Sequence, residues 1–199
     1  MSKVGSVCVY CGSGAGVDPA YKAAAETLGR SMAEADIRLV YGGGSVGLMG
    51  ITARAVIEAG GQVTGIIPRF LSDREEKMVG LDEMIVTEDM HERKQMMFAR
   101  ADAFVALPGG VGTLEELVEQ LTWAQLGRHR KPILLANIGG FWDPLAVLLG
   151  HMSEQGFIRP GLEVVYEIAE AAEAIVPTLI AAAERIEAVA GDAETIGRM

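Results

Sequence analysis

Short runs of apolar, often β-branched residues alternate along the chain with longer segments whose apolar positions recur at helical spacing. Strands buried on both faces read as continuous apolar runs, while the helices covering them show one apolar stripe, so the pattern predicts a parallel sheet sandwiched between helices. A first strand is expected over residues 3–10 (KVGSVCVY), and Asp18-Pro19 opens a helix to about Ala35. Residues 37–41 (IRLVY) give a second strand, followed by a glycine-rich turn at 42–50 (GGGSVGLMG) and a helix ending at Gly60-Gly61. The third strand, 62–67 (QVTGII), is stopped by Pro68, and the charged stretch 68–83 reads as a loop with one helical turn.

In the second half, strands are expected at 84–88 (MIVTE), 103–107 (AFVAL), 131–137 (KPILLAN) and 162–168 (LEVVYEI). Helices are expected at 89–101, from the PGGVGTLEE motif to about Leu126, at 142–155, and after Pro177. The expected fold is a single Rossmann-like, doubly wound α/β domain over residues 1–190, with about seven mostly parallel strands and helices on both faces. Residues 191–199 read as a frayed tail.

Composition narrows the partners. The chain has 199 residues, 50% of them hydrophobic, enough for one substantial core. A net charge of −10 sets up a field that repels polyanions, so neither a nucleic-acid polymer nor an anionic membrane surface is expected as a partner. A small anion on a local basic patch is compatible with it. With two cysteines, no run of about 18 apolar residues and no signal-peptide pattern, a cytoplasmic protein is expected.

Ligands of doubly wound sheets bind beyond the carboxyl ends of the strands. Three glycine clusters fall there, at 12–16, 42–50 and 109–112, placing Ser13, Gly43, Gly44, Gly109, Gly110, Val111 and Gly112 beside one ligand. Glycine lets backbone N–H groups converge on an anion at a helix N-terminus, which marks phosphate without naming its carrier. GGGSVG (42–47) fits a dinucleotide fingerprint, but the next strand lacks the acidic residue that would hold a ribose. A nucleoside-triphosphate loop needs a lysine where Leu48 or Thr113 stands. Cys8 and Cys11 read as buried small hydrophobes, and His91, His129 and His151 are scattered, so no metal site and no cofactor are expected.

Two readings of Glu116 stand side by side. Thr113 and Glu116 have the spacing of a capping box. Helical phase also puts Leu114, Leu117, Val118 and Leu121 on a core stripe, with Glu116, Gln120 and Trp123 on a separate one that suits either a pocket floor or a dimer seam. Arg93 and Lys94 lie early in a helix, where cations oppose the macrodipole. A bound phosphate or carboxylate would reverse that penalty, while a solvated face would explain the pair without function.

Taken together, PGGVGTLEE, the upstream MHERK and YGGGSVGLMG resemble the Lonely-guy (LOG) family of cytokinin riboside 5′-monophosphate phosphoribohydrolases. The likeness runs from about residue 3 to about 180, and LTWAQLGRHRKPI and EQGFI share it. The resemblance implies hydrolysis of the N-glycosidic bond of an adenine-type nucleoside 5′-monophosphate to free base and ribose 5-phosphate. It implies that Arg93 and Glu116 are the catalytic pair and that Lys94, Gly109, Gly110, Gly112 and Thr113 bind substrate, with Glu75 and Thr122 as further contacts. It also implies a homodimer or a higher oligomer. Gly14 departs from the family pattern, where a second serine follows Ser13. Two rivals remain: a pyridoxal-dependent lysine decarboxylase, for which only Lys94 lies near the site, and a non-catalytic nucleotide-binding or carrier module on the same scaffold.

Overall fold

A computed structural model describes residues 4–72 and 78–196, with side chains through residue 189. Seven strands form one sheet: β1 (Ser6–Tyr10), β2 (Arg38–Tyr41), β3 (Val63–Pro68), β4 (Glu83–Thr87), β5 (Ala103–Ala106), β6 (Ile133–Ala136) and β7 (Glu167–Ala169). Their order is β4-β3-β2-β1-β5-β6-β7, and every neighbouring pair is parallel. The helices are α1 (Pro19–Glu34), α2 (Gly47–Glu58), the single turn α3 (Arg69–Ser72), α4 (Met90–Ala99), α5 (Val111–Gln125), α6 (Asp143–Glu154) and α7 (Ile175–Ile196).

Alternation along each strand divides the core in two. Val7, Val9, Val105, Leu107 and Leu134 face α1, α2 and α7, whereas Cys8, Tyr10, Phe104, Ile133 and Leu135 face α4, α5 and α6. Cys8 and Cys11 are buried free thiols that fall in opposite layers. Asp18 caps α1 by accepting the Ala20 N–H at 2.8 Å, with Pro19 in the first turn.

The chain winds outward from β1 to β4, then returns to the other side of β1 with β5 and continues to β7. The loops after β1 and β5 therefore part in opposite directions and leave a crevice at their carboxyl ends. The Gly12 N–H donates to Pro108 O at 3.1 Å, and the Leu48 N–H donates to Gly12 O at 3.0 Å, tying all three glycine loops together there.

Several expectations need correcting. The seventh strand is only Glu167–Ala169, because residues 163–166 run without a ladder partner. The last helix starts at Ile175, so Pro177 lies in its first turn, where a missing N–H costs nothing. The stretch 191–199, expected to fray, begins inside α7 and ends outside the described residues.

The largest correction concerns α5. It begins at Val111, two residues before Thr113, with Gly110 as N-cap and no side-chain capping bond. The capping box is therefore absent. Leu114 and Val118 are 38% and 41% exposed, while Thr113, Glu116, Leu117, Gln120 and Leu121 turn inward. The helix faces the sheet with a mixed polar and apolar stripe and keeps part of its apolar stripe outside.

Candidate active site

The N-terminus of α5 points into the crevice. Its first intrahelical bond runs from the Leu114 N–H to Gly110 O, so the amides of Val111, Gly112 and Thr113 precede the helical ladder. Gly110, Val111 and Gly112 are exposed, and a Cβ added at Gly110 or Gly112 would meet open space. Gly109 is different: a Cβ there would fall 2.1 Å from Thr113 Oγ1, so a side chain cannot fit while the loop folds against the helix. A cavity of about 300 Å³ opens at this place, bounded by Gly12, Ser13, Gly14, Pro108, Gly109 and Gly110. Uncapped amides, the helix dipole and bare glycine backbone are the features that suit a helix start to a phosphoryl-sized anion.

Behind the loop lies a buried ion pair. Arg93 Nη1 stands 3.1 Å from Glu116 Oε1, and the two residues are 8% and 9% exposed. Arg93 also donates from Nε to Ile66 O at 3.1 Å, anchoring it to the end of β3, and its Nη1 lies 3.8 Å from Met90 Sδ. Room for the guanidinium comes from Gly42, where a Cβ would sit 2.3 Å from Arg93 Nη2. Asp89 caps α4 by accepting the Glu92 N–H at 2.8 Å and so fixes the helix that presents Arg93.

Burial pushes the Glu116 carboxyl above its ordinary pKa; the Arg93 charge works in the opposite direction, and Glu115 and Glu119 add to the rise. Dehydration thus outweighs the ion pair. A buried carboxyl held by a guanidinium, with a raised proton affinity and a place one turn past an anion cradle, suits proton transfer or cation stabilisation.

Other expected residues are placed less centrally. Lys94 Nζ is bound by Glu115 Oε1 at 2.6 Å and Glu119 Oε1 at 3.0 Å. Burial works against its charge, but those two carboxylates outweigh burial and raise its pKa. Thr122 Oγ1 donates to Val118 O at 2.7 Å, ten residues after Gly112 on α5. Gln120 is 0% exposed, which takes it out of any pocket floor or subunit seam. Ser13 is exposed at the cavity, while Gly43 and Gly44 are buried, with Gly43 at φ +80° packed near Ile67 and Met84. Glu75 lies outside the described residues. Among the described residues no three His, Cys, Asp or Glu side chains gather as a metal site.

The sequence reading missed Tyr21 and Phe141, which line the crevice and meet edge to face at 5.7 Å. Phe141 lies just past the carboxyl end of β6, a position that signals the ligand side of a parallel sheet. In the sequence Gly42 is only part of a fingerprint, and its task of admitting a guanidinium has no local signal.

A family model described as "Possible lysine decarboxylase" matches residues 49–179. The chain is 49% identical over 159 residues to cytokinin riboside 5′-monophosphate phosphoribohydrolase LOG7 of Arabidopsis thaliana, covering 80% of this chain and 73% of that protein. It is 45% identical over 189 residues to LOG1 of the same plant, covering 95% and 89%. The rice protein LOG, from Oryza sativa subsp. japonica, is 49% identical over 157 residues, 79% of this chain and 65% of its own. Among solved structures, the molybdenum cofactor carrier protein of Chlamydomonas reinhardtii superposes with a TM-score of 0.65 at 23% identity, covering 88% and 98%. A molybdenum cofactor binding protein of Rippkaea orientalis gives the same TM-score and identity, covering 88% and 95%. At that identity the likeness is one of fold.

Proposed function

The chain belongs to the family of cytokinin riboside 5′-monophosphate phosphoribohydrolases, and from that premise we propose that it hydrolyses the N-glycosidic bond of adenine-type nucleoside 5′-monophosphates. The products are the free base and ribose 5-phosphate. The observation that carries the reading is the Arg93–Glu116 pair, buried one turn beyond an uncapped, glycine-lined helix N-terminus.

In this mechanism the 5′-phosphate rests on the amides of Val111, Gly112 and Thr113, at the loop of Gly109 and Gly110. One helical turn, about 5.4 Å, separates that anchor from Glu116. A span of that size suits the reach from a 5′-phosphate across the ribose to C1′. Anchoring the phosphate turns remote binding energy into orientation of the sugar. As the C1′–N bond breaks, positive charge builds on the ring oxygen and C1′, and the Glu116 carboxylate stabilises it and accepts a proton from the attacking water. Water oxygen bonds to C1′, and the base departs with the bond's electron pair and takes up a proton. Arg93 fixes the rotamer of Glu116 and keeps a share of the carboxyl ionised despite burial. Ser13, Gly43, Gly44, Lys94, Thr122 and Glu75 complete the substrate-binding set, with Lys94 acting through Glu115 and Glu119 rather than as a free cation.

A decarboxylase would need pyridoxal phosphate on a lysine. Lys94, the candidate near the site, has its ammonium clasped by two carboxylates and its pKa raised, the opposite of what a Schiff-base amine requires. A carrier would need the cradle but no buried carboxyl behind it.

The protein is proposed to act as a homodimer. Val111, Leu114 and Val118 leave an exposed apolar row on α5, and α6 has no fully buried residue while Val147, Leu148 and Met152 are exposed. A cytoplasmic location is part of the same proposal; no helix among the described residues is long and apolar enough to cross a membrane. The test is incubation with AMP and with isopentenyladenosine monophosphate, followed by chromatography. Free base and ribose 5-phosphate in equal amounts are expected; tight binding without release would overturn the hydrolase in favour of a carrier.

A further inference from the structure

A second cavity, of about 370 Å³, lies at the opposite end of the sheet from the glycine loops. Its floor is the segment entering β6 and the segment entering β7, and its roof is α7. The direction of α5 sets the distance: Glu116 lies near its start, while Ala124 and Gln125 reach the second cavity about 12 Å further along the axis. The walls are apolar, formed by Pro132, Ile133, Val165, Ala182, Ile186 and Val189. A volume in this range with such walls is what small-molecule pockets share.

The charges at its rim are unequally engaged. Two carboxylates border it, and both are committed: Glu167 accepts from Arg185 Nη2 at 2.5 Å, and Glu163 accepts the Gly161 N–H at 2.8 Å. Two cations border it without a carboxylate partner among the described residues, Arg130 and Lys131. Lys131 Nζ donates to Phe98 O at 2.7 Å, ending α4, and lies 4.0 Å from the Phe98 ring centroid. That leaves donor capacity on its ammonium. Burial lowers the Lys131 pKa, and Asp102 opposes this from further off, its Oδ2 being taken up by the Gly5 and Ser6 amides and the Ser6 hydroxyl. His129 adds no charge, since its Nδ1 accepts the Lys131 N–H at 3.1 Å while Nε2 faces Gln120 O at 3.2 Å, and burial lowers its pKa. A chain carrying −10 overall thus has an apolar hollow whose rim, with three cations against two engaged carboxylates, is locally positive.

We propose that this cavity is a second binding site, for a small amphiphilic anion: an apolar, ring-sized body lodged between α7 and the β6 entry, with one carboxylate met by Lys131 and Arg130. A neutral apolar ligand would leave the two cations unanswered, and a polyanion would meet Glu163, Glu167 and the negative charge of the whole molecule.

Isothermal titration of the intact protein with 2-naphthoate, and with its neutral isostere 2-naphthamide, tests this. Saturable 1:1 binding of the acid is expected, clearly tighter than the amide and not displaced by AMP. Lys131→Met should weaken naphthoate ~10-fold or more. Arg130→Met, at an exposed position that should fold normally, should weaken it ~2–5-fold. Ile186→Trp keeps every charge but fills the hollow and should abolish both ligands. Absence of saturable naphthoate binding, equal affinity for acid and amide, competition by AMP, or binding that survives Ile186→Trp would each overturn the assignment.

Discussion

Replacing Glu116 with glutamine keeps the size and shape of the side chain while removing its charge, so the variant separates catalysis from packing. Two contributions to stability oppose each other. Burial has raised the folded-state pKa of this carboxyl above its unfolded value. Such a group favours the fold fully below the unfolded pKa and loses that contribution as pH rises through the folded pKa. At neutral pH the ionised carboxylate therefore works against folding, and the amide relieves this. Against it, the buried Arg93 guanidinium, 3.1 Å away, loses its counter-charge while keeping its bond to Ile66 O. The two effects should leave stability within ~1 kcal/mol of the parent, a melting shift of no more than ~2–4 °C for a chain of this size. Catalysis has no such compensation. Loss of a positioned carboxylate should lower kcat by ~10²-fold or more, at least ~2.7 kcal/mol of transition-state stabilisation. KM should change little, because the phosphate anchor is backbone. The assay is chromatographic release of free base from AMP and isopentenyladenosine monophosphate, beside a thermal melt. A well-folded variant with kcat within about threefold of the parent would refute the assignment of Glu116 to the reacting centre.

Other variants probe the surrounding parts. Arg93→Met removes the main influence holding the Glu116 pKa down, so the acid limb of the kcat–pH profile should move to higher pH and the maximal rate should fall; an unmoved limb would detach Arg93 from Glu116. Gly112→Ala adds a methyl into open space within a helix, so the melting temperature should rise, by ~0.5–1 kcal/mol of stability, while KM for the nucleotide rises because the cradle is obstructed. Unchanged KM would place the phosphate elsewhere. Gln120→Met should stabilise the protein by ~1–3 kcal/mol in chemical denaturation, since both polar atoms of the buried Gln120 amide lack a partner; destabilisation would show that the amide has a partner after all.

Much of this architecture could be read in one dimension. Alternating β-branched runs and helical periods specified seven strands, the order of elements and the doubly wound class, because burial on one or two faces is written directly into residue spacing. Glycine clusters after β1, β2 and β5 marked one end of the sheet, and there the three loops meet through the Gly12–Pro108 and Leu48–Gly12 backbone bonds. The family resemblance singles out Arg93 and Glu116, which the fold brings to 3.1 Å of each other.

Tertiary structure decided the rest, and the reason is the same in each case: a side chain's partner comes from a remote part of the chain. Thr113 and Glu116 carry a capping spacing, yet Arg93, 23 positions upstream, takes the carboxylate inward, and the N-cap of α5 falls three residues early, on Gly110. Leu114 and Val118 have the period of a core stripe, but rotation of α5 that buries Glu116 and Gln120 leaves them outside. Lys94 has the look of a free anion ligand until Glu115 and Glu119 close on it from the neighbouring helix. Residue spacing fixes which faces of an element are apolar; the pairing of charges and the rotation of a helix against its sheet depend on contacts across the fold, which periodicity does not encode.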